Sequence, residues 1–201
     1  MPADRDLLVL EPTLFRDVLW LGQRLLVGEA SLTGALLTLT TAGLTFSGVS
    51  PGCVIVVQTT YCEIVSIESP TEAVISLVRS DATDPPHPPA SGTGLAVGVT
   101  TFGPQLGLAK KQVLGLFGLS DMSGVTNPGD LDELIAVGAL LLIHGAAAAL
   151  SPPGSPGEAR LGYYRSRYGM LRARAEVHLD LDGDGKPEAT RRAGAGVLVR
   201  A

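Results

Sequence analysis

The chain has 201 residues, 45% hydrophobic but only 4% aromatic, with 25 Gly, 14 Pro and a formal net charge of −5. That length allows one substantial domain or two small ones, with a core of Leu, Val, Ile and Ala rather than of rings. Two cysteines, Cys53 and Cys62, and three scattered histidines argue against a zinc site.

The charge is uneven. Residues 1–100 carry ten acids and four bases, and residues 101–201 carry ten acids and eleven bases. An acidic first half and a basic later helix suit head-to-tail contact between identical subunits, or docking on an acidic partner; a solvated helix face is the alternative.

At the N-terminus, residues 1–6 lack a basic segment followed by an apolar run and a small-residue cleavage site, which reads as a protein made in the cytoplasm. Residues 13–26 are expected to form a helix: Pro12 stands near its start, and Leu14, Val18, Leu21 and Leu25 recur at helical spacing. Asp4, Asp6 and Glu11 are expected to be exposed.

From about residue 34 the period changes. Short β-branched runs at 37–40, 44–46, 53–57, 63–67 and 73–79 are separated by Gly, Pro and Thr turns. Five closely spaced strands predict a small antiparallel, SH3-like barrel. It holds almost no Lys or Arg, and Tyr61 and Phe46 alone make no stacking platform, which argues against a nucleic-acid reader. A turn at Thr59 and Thr60 would pair Gln58 with Tyr61 and Val57 with Cys62, leaving Cys53 roughly 13 Å from Cys62, too far for a disulfide. Residues 81–98, rich in Pro and Gly, read as a linker, with His87 as a solvent-facing loop residue.

Three helices follow, at about 104–117, 131–150 and 158–176. Pro104 suits a first helical turn, and Asp130, Asp132 and Glu133 suit the positive end of the second helix. The apolar run at 135–150, interrupted by His144, is shorter than the roughly 20 residues that span a bilayer, so no membrane partner is expected. Within the third helix, residues 158–174 hold Arg160, Arg165, Arg167, Arg172 and Arg174 against one Glu, with Tyr164 and Tyr168 one turn apart.

The most specific chemistry lies at 180–188. Asp180, Asp182 and Asp184 alternate before Gly185, the Lys186 carbonyl stands at position seven and Glu188 at position nine. That pattern supplies a hard cation with oxygens, with Ca2+ as a structural ion. An EF-hand places its bidentate Glu at position twelve, where this chain has Arg191. The flanking residues 176–179 and 196–200 instead suggest a loop between two strands. The alternative is an acidic turn that binds nothing tightly.

The sequence holds no His-Glu-x-x-His, no phosphate-cradling Gly loop followed by Lys and Ser/Thr, and no Gly-x-Ser-x-Gly. No catalytic role is therefore expected, and His144 reads as a core or interface residue. The organisation expected is α+β: a helical body of about four helices over 1–30 and 99–178, an inserted barrel over 31–80, the linker over 81–98, and a β-hairpin arm over 179–201.

The order of a helix, a β insertion, further helices, then a Tyr/Arg helix (Tyr163, Tyr164, Arg165, Arg167, Tyr168) running into the acidic loop resembles the head–tail connector, or adaptor, proteins of tailed bacteriophages. The resemblance covers mainly residues 100–201. It implies a homo-oligomeric ring, commonly twelvefold, in the virion neck, assembled in the host cytoplasm and docked below the portal protein beside other neck or tail proteins. It also implies a C-terminal arm from about Arg191 and Arg192 onward that reaches the portal. DNA would pass through the ring without sequence-specific binding. Arg160, Arg165, Arg167 and Arg172, with Tyr164 and Tyr168, are the expected contact residues. The alternatives are a calcium-dependent interaction module of a bacterial surface protein, or another virion part such as a tail-completion or decoration protein.

Overall fold

The computed structural model describes residues 1–150, 152, 154–193 and 199–200. The chain mixes helix and sheet and divides into two compact units, Ala3–Phe102 and Gly103–Ala201, the latter joined by Met1–Pro2.

In the first unit, six antiparallel strands close into a barrel: β1 (Arg24–Thr33), β2 (Leu36–Leu39), β3 (Val54–Val57), β4 (Thr60–Ser69), β5 (Glu72–Leu77) and β6 (Gly92–Thr100), in the order β1-β2-β5-β4-β3-β6. Closure leaves no open sheet edge. Alternate residues, among them Ala30, Leu37, Ile55, Cys62, Ile75 and Val99, point inward and form one fully buried core. Phe46 lies between β2 and β3, outside any strand, and packs into that core at 4% exposure. Residues 44–46 are therefore a loop that plugs the barrel rather than a strand.

Further expectations are corrected by the strand and helix bounds. No helix covers 13–26: the chain forms two short helices, α1 (Asp4–Leu10) and α2 (Leu14–Asp17), then a 3-10 turn at Leu21–Gln23 and strand β1. The barrel therefore begins at Arg24 rather than residue 31. Residues 92–98 are not linker but most of β6, which pairs with both β1 and β3 and closes the barrel. The β3–β4 hairpin pairs Val57 with Thr60 and Ile55 with Cys62, so its turn is Gln58 and Thr59. Both cysteines are buried free thiols. Burial raises both, that of Cys62 to about 12, which leaves them poor nucleophiles near neutral pH.

The second unit contains α3 (Gly103–Leu116), α4 (Asp132–Ala148) and α5 (Pro156–Arg174), with α4 packed against both neighbours. A sheet of β7 (Glu176–Leu179), β8 (Ala189–Arg192) and β9 (Val199–Arg200) follows. Pro128–Ala148, counted with its leading 3-10 turn, is long and apolar enough to cross a membrane by composition, but 56% of its most apolar window is buried in this fold. Ser155 caps α5, its hydroxyl accepting from the Glu158 N–H, and Pro156 fills the first helical position.

Candidate metal centre and the arginine helix

The acidic loop turns between β7 and β8, which pair from Glu176 with Arg192 to Leu179 with Ala189. Its base is fixed from the side by residues 124–127. The Asp180 N–H donates to Gly124 O at 2.8 Å, and Asn127 Oδ1 accepts from the His178 N–H at 2.8 Å. Gly124 has φ +73°, and a Cβ there would stand 2.8 Å from Asp180 O, so a side chain at this position collides with the loop's first residue.

Ligand oxygens of Asp180, Asp182, Asp184 and Glu188 all lie within 4.8 Å of one another. Oxygens on opposite sides of a calcium ion stand roughly 5 Å apart, so this cluster could hold one hard cation. The carboxylates also organise the turn. Asp180 accepts from the Gly183 and Gly185 N–H groups at 2.6 and 2.8 Å, and Glu188 Oε2 accepts from Leu181 N–H at 2.6 Å. The bonds from Gly185 and then Gly183 hold the Asp180 carboxyl below its usual range.

Lys186, expected to offer its carbonyl, donates its N–H to Asp184 Oδ1 at 2.8 Å and its ammonium to Asp184 Oδ2 at 3.2 Å. Arg191, at position twelve, reaches away from the loop: its Nη1 donates to Phe117 O at 2.9 Å, at the C-terminal end of α3. The fourth carboxylate is thus Glu188, nine residues into the loop.

The structure separates the other expected contact residues into two groups. Arg165 and Arg172 are exposed on α5, and neither has an ion-pair partner among the described residues. Arg160, also on α5, is half-buried. The remainder are engaged within the chain. Arg167 donates to Glu133 Oε1 of α4 at 2.7 Å. Tyr164, expected at an interface, lies inside at 2% exposure with its ring stacked on His144 at 5.2 Å. Tyr168 lies over Gly138, where a Cβ would meet its ring at 3.1 Å. Arg192 pairs with Glu176 across the hairpin at 3.4 Å. Residues 194–198 and 201 of the expected arm lie outside the described residues.

His87 is exposed in its loop, and His178 Nδ1 lies 2.9 Å from Thr190 Oγ1. Two groups that the sequence reading missed sit in the barrel unit. Glu63 is fully buried between Arg5 and Arg79, and Asp4 is 4% exposed instead of facing solvent. Comparison with known proteins finds no matching family model, curated protein or solved structure.

Proposed function

We propose that this chain is a structural subunit of a virion neck: a head–tail connector that assembles into a closed ring below the portal and surrounds the passing DNA. The observation that carries the reading is the run from α5 into the hairpin. A helix on which Arg165 and Arg172 have no ion-pair partner among the described residues leads, after Ala175 alone, into the β7–β8 hairpin, cornered by four carboxylates. A ring subunit needs two different complementary surfaces repeated until the rotation closes. The exposed arginines supply one such surface, and the barrel unit carries the acidic surplus of the first hundred residues. In this role the barrel, which we take as SH3-like, is an attached module, and no residue acts as a catalyst.

Electron microscopy and sedimentation of the purified chain should show rings of defined symmetry. The double charge reversal Arg165→Glu with Arg172→Glu should reduce them to monomers while circular dichroism stays unchanged. Rings that persist in this variant would remove the arginines from the contact, and a wild-type chain that stays monomeric with and without portal protein would remove the ring.

The acidic loop would hold calcium as a structural ion through Asp180, Asp182, Asp184 and Glu188. The ion would neutralise four converging carboxylates and fix the angle at which the arm leaves the body. Asp182→Ala with Asp184→Ala should abolish calcium binding in titration calorimetry and speed proteolysis after residue 179, leaving α3 to α5 folded. Equal cleavage of the wild-type arm in calcium and in chelator would count against an ion at this corner.

A further inference from the structure

The outer wall of the barrel carries a groove of about 370 Å3 where β1, β6 and β3 lie side by side. Val27 of β1, Val54 and Val56 of β3, and Phe15 and Leu19 supply its apolar lining. Gly98 of β6 contributes no side chain to the middle: a Cβ there would meet Val56 Cγ1 at 3.5 Å, Leu26 O at 3.6 Å and Val27 Cγ2 at 4.0 Å, all ordinary contacts. Outward positions of a barrel ordinarily carry polar side chains, yet Val27 of β1 is 55% exposed, and Leu19, in the segment before β1, is 63% exposed.

Arg24 is the single charged residue of the lining, and it has no ion-pair partner among the described residues. Gln58, Tyr61 and Thr100 complete the polar side. Gln58 has a φ of 56°, the one positive value at a non-glycine among the described residues, and its N–H is pinned to Ala96 O at 2.7 Å. That positive φ belongs to the two-residue β3–β4 turn, which sets Gln58 at the edge of the groove.

We propose that this groove binds a small amphiphilic carboxylate. Its apolar chain lies along Val27, Val54 and Val56, and its carboxylate meets the Arg24 guanidinium. The concavity falls in the size range of small-molecule sites, which are mostly apolar with a few convergent polar groups. A guanidinium matches a carboxylate in a planar, two-bond arrangement, and one arginine balances one negative charge, which a phosphate dianion would exceed. This site is independent of ring assembly.

Titration calorimetry of the full chain with octanoate and with uncharged octanamide tests it. Octanoate should bind roughly tenfold more tightly, the worth of one charge-assisted contact. Arg24→Gln should erase that difference and leave octanamide binding unchanged. Gly98→Val, at a position without positive φ, should fill the groove and stop both ligands while the dichroism spectrum stays that of wild type. The proposal falls if octanoate does not bind the wild-type chain, if it binds no better than octanamide, or if its binding survives in a folded Gly98→Val chain.

Discussion

Glu63→Ala should destabilise the barrel unit by about 3–5 kcal/mol, the cost of leaving buried charge without its counter-ion. Glu63, on β4, has 0% of its surface exposed. Its Oε1 accepts from Arg79 Nε at 2.6 Å and from the Arg79 N–H at 3.0 Å, and its Oε2 pairs with Arg5 of α1. The two guanidiniums are tied further: Arg5 Nη2 donates to Arg79 O at 2.6 Å, and Arg79 Nη1 to Asp84 O at 2.6 Å. One carboxylate thus holds α1, β4, the end of β5 and the loop after it. Without it, two positive charges face each other where Arg79 is 6% and Arg5 13% exposed.

For a unit of this size the loss corresponds to a fall in Tm of roughly 15 °C or more. Thermal unfolding followed by circular dichroism reads it directly. A second variant separates charge from volume. Replacing Arg5, Glu63 and Arg79 together by leucine removes the charges as a set, and buried ion clusters exchanged for apolar side chains often cost little. The triple variant should therefore be more stable than Glu63→Ala. An equal loss in both would place the cost in the packing and not in the unbalanced charge.

The residues differ in how far their roles could be read before folding. Helices α3 to α5 were legible from their boundaries and composition: Pro104 in the first turn of α3, acidic residues at the start of α4 before an apolar run, and a Pro/Gly break before the arginine-rich α5. Strands β2 to β5 were legible as short β-branched runs. β1 was hidden because Leu14, Val18, Leu21 and Leu25 keep helical spacing across what becomes one short helix, a 3-10 turn and a strand start. β6 was hidden by Gly92, Gly94 and Gly98, which read as linker although Leu95, Val97 and Val99 alternate inward. Tertiary pairing with β1 and β3 overrides a weak strand propensity there.

At the candidate metal centre the four carboxylates were readable, since all lie within nine residues and the loop brings them together locally. The Arg5–Glu63–Arg79 cluster was not, because its members meet only when α1 lies against the barrel. The surface role of α5 was readable in part. Charge alone gives the number of arginines but not which of them α4 claims, and Glu133 takes Arg167.

Asp4 makes the stability of the barrel unit fall as pH rises from about 4 to about 6. It sits in the first turn of α1, 4% exposed, where its Oδ1 accepts from the Phe102 N–H at 2.8 Å. Burial pushes its carboxyl up from 3.8 to about 6, against hydrogen bonds with Thr101, Phe102 and Cys53 that pull it down. The folded state therefore holds its proton more tightly than the unfolded chain does. Between the two values the native state binds more protons, so stability declines with rising pH. Below 3.8 both states are protonated and the site costs nothing; above about 6 the buried carboxylate costs on the order of 3 kcal/mol. Asp4→Asn removes the titration and keeps the shape: its carbonyl oxygen accepts from Phe102, and its amide donates to the Thr101 hydroxyl. Urea unfolding should find the variant more stable than wild type by up to about 3 kcal/mol at pH 7.5, and nearly equal to it at pH 4. The difference between the two chains isolates Asp4 from the other carboxylates, whose titration is common to both. Parallel stability curves from pH 4 to 7.5 would show that the proton is not held there. A variant weaker than wild type at both values would show that the carboxylate's acceptor bonds outweigh its burial.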